Sequence, residues 1–461
     1  MTQHLRRSRV TKALTDAGLA ASFPDAEARL DAVDACIVLG DDQASTLAGQ
    51  AAALTAVGTA FKCFGRVTLA LSAPEAPLLV DFPLGATLAE AAATLGARVV
   101  AIVPGAATHR IVIGGSLTGQ GWEVACWWDR WLSGLRTESA ACGDSRLGLA
   151  GVFAGALAVR QIFATVLAGP SSIARDTTLS LWEPWTEAPT DLGPTRFTAP
   201  NALWLVGLGH LGQGFVWNLL TLPYRGPRAA VLQDDQRIGE ENEPTSLLVV
   251  ERGERRRKVR VAAGWLDAAD WDTRLIERRH HGDILPTKDD PPLLLCGLDD
   301  VRPRRILASL GFDYMIDAGI GHGPGDFESL QVRIIPKGTL TERLWNAPPP
   351  PRLADHLLDK AAYQALAAQD EGCGAYALAD SSVAVPFVGA ATGALTIAQA
   401  IRLASMKPAG ALIQVGLAAP ELQIDGGRHP ALETSFGGEA MDLDAAPDAL
   451  AAYTSVQFSE E

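Results

Sequence analysis

Short apolar runs alternate with helix-like segments through the first half of the chain. The runs span four to six residues, the length of buried strands, and the segments between them carry apolar residues at helical spacing. Such alternation is typical of a mostly parallel sheet covered by helices, so this half is predicted to be an α/β unit. The predicted strands are 35–39, 66–71, 99–103 and 110–113, and the clearest predicted helices are 44–57 and 88–95.

The second half shows the same alternation and is predicted to be another α/β unit. Residues 171–200, between the halves, are rich in proline, threonine and acidic residues, which is typical of a connector. The strands of the second half are predicted at 203–206, 229–232, 293–296, 314–317, 330–335, 411–417 and 421–424. The predicted domains are a first unit at 1–170, a linker at 171–200, a second unit at 201–432 and an acidic tail at 433–461.

Two longer apolar segments, 147–168 and 383–406, approach the length that crosses a membrane. Polar side chains interrupt both, among them Arg160 in the first and Arg402 in the second. We therefore predict that both segments are buried core helices and that the protein does not enter a membrane.

Composition narrows the class of protein. The 461 residues are 48% hydrophobic and 20% charged, as expected for globular domains with large cores. The net charge of −14 disfavours binding to nucleic acid or to an anionic membrane surface. The N-terminal residues lack the apolar core of a signal peptide, and the six cysteines form no C-x-x-C pair. These features predict a cytoplasmic protein with free thiols and no four-cysteine zinc site.

A glycine turn follows the predicted strand at 203–206. Gly207, Gly209 and Gly212 have G-x-G-x-x-G spacing between an apolar strand and an apolar helical face, which is the context this motif requires. The first glycine permits a tight turn, the second lets the backbone approach a phosphate, and the third lets the helix lie close to the strand. The turn predicts a nucleotide at the helix N-terminus without identifying it. His210, within the turn, is assigned no chemistry.

The first unit has no such turn, because its strand at 35–39 ends in Gly40-Asp41-Asp42. The two units nevertheless share a weak sequence echo around Gly155 and Gly393, which stand in similar alanine-rich segments downstream of the pairs Cys142-Gly143 and Cys373-Gly374. Two interpretations stay open. Two alanine-rich helices have converged by chance, or the fold is duplicated and its first copy has lost the nucleotide loop.

Polar residues follow the glycine turn at intervals. Asp234 comes directly after the next strand, where an acidic residue binds a ribose in NAD-dependent enzymes. Asn242 and Lys258 lie further on, and Asp299 follows the buried strand at 293–296 with Arg304 just beyond it. Glycines and one aspartate alone leave NAD and ATP equally open.

As a set, these residues resemble the ThiF-like adenylyltransferase superfamily, which includes the ubiquitin-activating enzymes. The resemblance covers roughly residues 201–424. That family carries a glycine loop, then Asp-x-Asp-x-Val-x-x-x-Asn-x-x-Arg, then a lysine before an alanine-rich helix, and a strand ending in Asp with a following Arg. The matching positions here are Asp234, Ile238, Asn242, Lys258, Asp299 and Arg304.

Two positions depart from the family pattern. Gln236 stands where a second aspartate is common, and Thr245 stands where the family has an arginine facing the phosphates. The resemblance therefore requires another basic residue, either one of the arginines at 255–257 or one from the first unit.

The resemblance implies a fold of two Rossmann-like adenylation-type units, of which the N-terminal one is degenerate and the C-terminal one holds the nucleotide loop. It implies ATP and Mg²⁺ as cofactors. Asp234 would hold the ribose, Lys258 would act as a point charge on the phosphates, and Asp299 would hold Mg²⁺. The implied nucleotide-binding residues are Gly207, Gly209, Gly212, Asp234, Asn242, Lys258 and Asp299.

Cys373 is the implied catalytic residue. In the family, a cysteine lies on a mobile crossover segment before a Gly/Ala-rich helix, and in ubiquitin-activating members it takes the activated C-terminus as a thioester. Cys373 occupies the matching place, between glycines that leave a thiol approachable. The alternative is a small buried residue.

Function follows from the same resemblance. It implies ATP-dependent adenylation of the C-terminal carboxylate of a small ubiquitin-like protein ending in glycine, a thioester on Cys373, and transfer to a conjugating enzyme. The sequence is similar to activating enzymes of bacterial ubiquitin-like conjugation operons, some of which act in antiviral defence. A homodimer is one expected assembly. The alternatives are a sulfur-carrier adenylyltransferase of the thiamine or molybdenum-cofactor type, an NAD-dependent dehydrogenase, and a non-catalytic scaffold.

Overall fold

Two mixed sheets, one from each half of the chain, form the frame of the molecule. The computed structural model describes residues 7–169, 174–251, 253–321, 323–345, 354–369, 373–432 and 436–445. An N-terminal pair of helices, α1 (Ser8–Thr15) and α2 (Phe23–Asp31), precedes the first sheet. Ser22 caps α2 by accepting a hydrogen bond from the Asp25 amide, as sequence rules for helix starts expect.

The first sheet has seven strands in the order β3-β2-β1-β4-β5-β6-β7. Strands β1 to β5 are parallel, whereas β6 and β7 run antiparallel to their neighbours. Its strands are β1 (Ala35–Leu39), β2 (Val67–Leu71), β3 (Arg98–Val100), β4 (His109–Ile113), β5 (Trp122–Asp129), β6 (Leu132–Arg136) and β7 (Thr177–Ser180). Its helices are α3 (Asp41–Ala44), α4 (Leu47–Phe64), α5 (Leu88–Thr94) and α6 (Gly148–Ala168).

The second sheet has eight strands, five of them parallel and the last three antiparallel. After β8 (Arg196–Ala199), the strands are β9 (Ala202–Val206), β10 (Arg228–Gln233), β11 (Trp271–Ile276), β12 (Leu293–Cys296), β13 (Tyr314–Ile320), β14 (Ser329–Pro336), β15 (Ala409–Gly410), β16 (Leu412–Gly416), β17 (Gln423–Asp425), β18 (Arg428–His429) and β19 (Glu439–Asp442). The sheet order is β11-β10-β9-β12-β13-β14-β16-β17, while β15 pairs with β18 and β19 with β8.

Seven helices accompany the second sheet in the described part of the chain. They are α7 (His210–Leu219), α8 (Lys258–Asp267), α9 (Val301–Ala308), α10 (Ala354–Leu357), α11 (Ala361–Gln369), α12 (Cys373–Asp380) and α13 (Pro386–Ala404), with one 3₁₀ turn at Thr341–Arg343.

The two sheets repeat one strand order. In each, the third, second, first, fourth and fifth strands lie side by side in parallel and antiparallel strands follow. Helices α6 and α13 hold corresponding places, each preceding an antiparallel strand of its own sheet. A Cβ built on Gly155 of α6 would lie 2.4 Å from the Ala52 carbonyl oxygen, and one on Gly393 of α13 would lie 2.3 Å from that of Gly214. The sequence echo therefore marks two equivalent helix contacts that require glycine, which favours duplication over chance.

Helices from both units share one hydrophobic core. Buried side chains of α4, α6, α7 and α13 belong to a single cluster that continues into both sheets. Arg160 of α6 and Glu328, before β14, form an ion pair across the units at 2.7 Å. Helices α6 and α13 are long and apolar enough to cross a membrane, but 89% and 100% of their most apolar windows are buried inside the protein. The prediction of buried core helices is confirmed.

The mostly parallel α/β architecture predicted for both halves is also confirmed. The structure adds strands to two segments that the sequence assigns to a linker and a tail. Strand β7, in 171–200, completes the first sheet, and β8 pairs with β19 of the acidic tail. Residues 446–461 of the tail lie outside the described residues, as does the proline run at 348–351.

Candidate functional site

A cleft of about 1710 Å³ opens at the carboxyl ends of the parallel strands in the second sheet. Strand order reverses between β9 and β12, and the cleft lies at this topological switch point, where doubly wound sheets bind their ligands. The predicted site residues in its wall are Gly207, Gly209, Asp234, Asn242, Lys258 and Asp299.

The glycine turn has the backbone geometry that its sequence predicts. Gly207 has a φ of +82°, and a Cβ there would lie 2.9 Å from the carbonyl carbon of Gly297. A Cβ on Gly212 would lie 2.1 Å from the Gly207 carbonyl oxygen, so this glycine serves helix packing rather than the cleft wall. Helix α7 begins after Gly209 without a side-chain cap. Its first amides are therefore available to an anion.

Asp234 is held by the backbone on both carboxylate oxygens. The Leu208 amide donates to Oδ2 at 2.8 Å and the Gln236 amide donates to Oδ1 at 2.7 Å. Burial raises the pKa of Asp234, while these amides and the nearby Lys258 ammonium act in the opposite direction. The carboxylate is fixed at the edge of the glycine turn with lone pairs left to accept hydroxyl groups.

Lys258 begins α8 and is 6% exposed. Its Nζ donates to the Gln236 Oε1 at 2.6 Å and would lie 3.7 Å from a Cβ built on Gly209. Since the position that is often aspartate in the family is an amide here, the hydrogen bond does not neutralise the ammonium. The opposite charge that acts on the ammonium at the turn is instead the nearby carboxylate of Asp234.

Asn242 is buried and lies in a loop, residues 239–249, between β10 and α8, of which residues 244–249 are also buried. Its Oδ1 accepts from the Gly239 amide at 2.9 Å, and its carbonyl accepts from the amides of Thr245 and Ser246. Thr245 is 1% exposed, and its carbonyl oxygen accepts a hydrogen bond from Nδ1 of His210 at 2.8 Å. Thr245 therefore lies in the protein interior, and His210, which also lines the cleft, holds this loop through its Nδ1.

Asp299 lies on an exposed turn after β12. The guanidinium of Arg304 fixes this turn from below, because Nε donates to the Leu298 carbonyl at 2.7 Å and Nη1 pairs with the buried Asp317 at 3.4 Å. Within the described residues, no three His, Cys, Asp or Glu side chains group closely enough to hold a metal. A single carboxylate fits Mg²⁺ only when phosphate oxygens and water complete the coordination.

Arg9 of α1 supplies a positive charge that the sequence alone does not locate. It lines the cleft, and its pKa is lowered by burial while the carboxylates of Asp299 and Glu241 act in the opposite direction. Its guanidinium donates to the carbonyl of Ser382 at 3.0 Å and to its hydroxyl at 2.8 Å. The arginines at 255–257 lie outside the described lining of the cleft and pair with Glu240, Glu243, Glu254 and Glu277.

A buried polar network fixes α1. The Nζ of Lys12 donates to the Tyr363 hydroxyl at 2.7 Å and pairs with Asp16 at 2.9 Å, and that hydroxyl donates to Asp16 at 2.5 Å. The Lys12 and Asp16 side chains are fully buried. The helix that carries Arg9 is thereby joined to α11, which precedes Cys373 in the chain.

Cys373 begins α12, and its side chain lies outside what the structure describes. The other end of α12 reaches the cleft through Ala377 and Leu378. Its predicted role stays a prediction.

The cleft continues beyond the nucleotide end. It passes along β14 and β16 at Gln331 and Gln414 and reaches Leu422 and Ile424 near the edge strand β17. These two side chains are 73% and 62% exposed, which is unusual for large apolar residues.

Comparisons with known proteins agree with this geometry. The chain belongs to the BilD family, since the BilD N-terminal domain matches residues 34–181 and the BilD C-terminal domain matches residues 199–407. A curated relative, the bacterial E1-like protein BilD of Collimonas sp. (strain OK412), is 31% identical over 413 residues, which cover 87% of this chain and 88% of that protein.

Among solved structures, E. coli MccB is similar over 50% of this chain and 64% of its own, at 15% identity. The TM-score of 0.32 is too low for this likeness to support any conclusion.

Proposed function

We propose that this protein uses ATP to activate the C-terminal carboxylate of a small ubiquitin-like protein by adenylation. The observation that carries the proposal is the convergence of Lys258, Asp299 and Arg9 on one cleft with the glycine turn. A dehydrogenase needs the turn and Asp234 but gives no role to these three charges. The E1-like description of the BilD relative supports the same reaction class.

Adenylation forms a bond between a carboxylate oxygen and the α-phosphorus of ATP, and breaks the bond from that phosphorus to the bridging oxygen of pyrophosphate. Negative charge grows on the leaving pyrophosphate. In the proposal, Asp234 holds the ribose, and Lys258 and Arg9 stabilise the phosphate charge in a partly dehydrated site. Asp299 holds Mg²⁺, which when bound neutralises phosphate oxygens.

The shape of the cleft favours a polypeptide as the acyl substrate. Its extension past Gln331 and Gln414 is open to a thin extended chain, and the exposed Leu422 and Ile424 offer an apolar surface to a folded body outside. A single amino acid as acyl substrate would not occupy this extension of the cleft.

The second step in the proposal is thioester formation on Cys373. The thiolate attacks the acyl carbon, AMP leaves, and the acyl group is then passed to a conjugating enzyme. A cytoplasmic location, which rests on the composition of the sequence, and a role in antiviral defence, which rests on the resemblance alone, are further parts of the proposal.

The test is ATP–pyrophosphate exchange with a candidate modifier, followed by a search for an adduct that reductant removes. Wild type is expected to show both activities, and Cys373→Ala is expected to keep exchange and lose the adduct. Cys142→Ala, which changes the half-buried cysteine of the first unit, serves as the matched control and should keep both.

Each result separates one function from another. Exchange in wild type without an adduct indicates a sulfur-carrier type of adenylyltransferase that stops at the adenylate. An equal adduct in Cys373→Ala contradicts the role of this cysteine. Absence of exchange and of ATP binding contradicts adenylation itself and favours a scaffold, while retention of NAD favours a dehydrogenase.

A further inference from the structure

The first unit contributes a lysine to the second at a point that no sequence motif marks. Lys62 lies in the last turn of α4, where a basic residue ordinarily serves the free carbonyls of its own helix. Here its Nζ donates instead to the carbonyls of Glu243 at 2.8 Å and of Val249 at 2.7 Å. Both acceptors belong to the 239–249 loop of the second unit.

The two carbonyls stand six residues apart, so one ammonium joins a residue within the loop, Glu243, to the residue at its end, Val249. Between them the chain is almost entirely buried, and a buried loop must find partners for its backbone polar groups. Leu248 is fixed separately, because its amide donates to Gln213 at 2.9 Å and its carbonyl accepts from Trp265 at 3.1 Å.

The loop that Lys62 holds also forms part of the cleft. Asn242 directly precedes the first tethered residue and lines the cleft. The loop also contacts the glycine turn, since the Thr245 carbonyl oxygen accepts a hydrogen bond from the imidazole of His210. A shift of the loop would therefore move Asn242 and disturb the turn together.

Placing a charged lysine side chain here carries a desolvation penalty. Burial lowers the pKa of Lys62 to about 8, with Glu243 and Cys63 acting in the opposite direction. An uncharged, apolar side chain of similar length would avoid this penalty, although it would remove the ammonium donor from two part-buried carbonyls.

We propose that Lys62 is a positioning residue for the nucleotide, through which the unit without a glycine turn holds the Asn242 loop of the other unit in its binding geometry. The inference rests on the proposed function, because it assumes that ATP occupies the cleft. It assigns the first unit a direct part in nucleotide affinity besides the arginine of α1.

The experiment is calorimetric titration of the purified full-length protein with ATP and Mg²⁺. Lys62→Met removes both hydrogen bonds and is expected to weaken ATP binding about 10-fold, because small displacements of a binding group carry costs of this size. Lys62→Arg keeps the charge and the donors and should stay within about twofold of wild type. Lys337→Met, at an exposed lysine that directly follows β14 and pairs with Asp313, is the matched control.

A purely structural role predicts a different pattern. Lys62→Met would then unfold more easily, yet its folded molecules would bind ATP with wild-type affinity, and that result would overturn the inference. If Lys62→Met does not fold, Lys62→Gln, with two uncharged N–H donors, is titrated in its place. Its ATP affinity is expected to be lower than that of wild type but still measurable.

Amide hydrogen exchange of residues 242–249 gives a readout that needs no nucleotide. Faster exchange of this peptide in Lys62→Met is expected, and unchanged exchange would contradict the tether. If wild type fails to bind ATP, the proposed function fails and the inference falls with it. Wild-type binding with an unaffected Lys62→Met contradicts the inference alone.

Discussion

Single residues decide how positive charge reaches the cleft. At position 245 the family arginine is replaced by a buried threonine, and Arg9, distant in sequence, provides a guanidinium near Asp299 instead. In the proposed function Arg9 takes the place of that arginine, and it lies on an N-terminal helix whose position depends on the buried Lys12–Asp16–Tyr363 network.

Arg9 should consequently be needed for pyrophosphate exchange. We expect Arg9→Ala to lower kcat/KM for exchange about 100-fold or more, as loss of one charged donor at a developing negative charge does elsewhere. Arg255→Ala removes an exposed arginine that pairs with Glu240 and Glu243, and it should change the rate less than twofold. Equal rates for the two variants would show that Arg9 does not face the phosphates.

His210 should give the protein an acid-sensitive stability. Burial, with the positive charge of Arg9, lowers the pKa of His210 from 6.5 to about 4, although the hydrogen bond to Thr245 acts in the other direction. Between these values the unfolded chain binds a proton that the folded protein does not. The stability that the protein gains from keeping His210 neutral is therefore complete above pH 6.5, and it is lost as the pH falls toward 4.

The expected loss is on the order of 3 kcal/mol in the free energy of unfolding. Urea denaturation at pH 7 and pH 4.5 measures it, and His210→Asn, which keeps a donor but does not titrate, should show a smaller difference. The exposed His281, changed to Gln, should leave the difference as in wild type. If His210→Asn loses as much unfolding free energy between pH 7 and pH 4.5 as wild type does, His210 is not the source of the acid sensitivity.

At the scale of elements, glycine lets helices of each unit touch through their backbones. A Cβ on Gly393 would meet the Gly214 carbonyl oxygen at 2.3 Å and the Asn218 amide nitrogen at 2.5 Å. Because one contact is backbone and the other a buried hydrogen-bonded amide, neither can move aside without separating α7 from α13. The glycine turn begins α7, so its geometry depends on this contact.

Gly393→Ala is expected to destabilise the protein by about 2 to 3 kcal/mol through overpacking. Gly264→Ala is the matched control, since Gly264 lies within α8 and its Cβ would enter open space. There alanine should stabilise by roughly 0.5 to 1 kcal/mol through helix propensity. Urea midpoints of the two variants should shift in opposite directions, and a shared direction would refute the packing argument.

At the scale of the whole molecule, hydrophobic patterning located most of the two sheets. It missed β5 and β6 because their connection at Asp129-Arg130-Trp131 contains no glycine or proline, although Arg130 adopts a φ of +57°. It also missed the edge strand β11, because its three consecutive residues Asp272, Thr273 and Arg274 are polar and interrupt the apolar run.

The candidate site was predictable where residues follow one another along a motif. Six of the seven proposed nucleotide-binding residues line one cleft because the carboxyl ends of parallel strands meet there. Arg9 and Lys62 could not be found this way, because each comes from a helix of the first unit and reaches the site only through the packing of one unit on the other.

The shared core predicts that the second unit does not fold alone. Residues 199–432 expressed by themselves would expose the face of α13 that packs on α6, so the fragment is expected to aggregate. Co-expression with residues 1–198 should restore a soluble complex of the two pieces. Size-exclusion chromatography tests this, and a monodisperse fragment with cooperative unfolding would show that the units are independent.

The burial of α6 against α13 also affects the chain while it is being synthesised. About 220 residues separate the end of α6 from the beginning of α13, so at roughly 5 to 20 residues per second a ribosome needs about 10 to 45 s between them. For that interval a helix apolar enough for a membrane is covered by α4 and by the strands of the first sheet, but not by α13. The nascent chain therefore passes through a period of exposure in which chaperones and membrane-targeting factors compete for α6, and the speed of translation across the second unit decides how long it lasts.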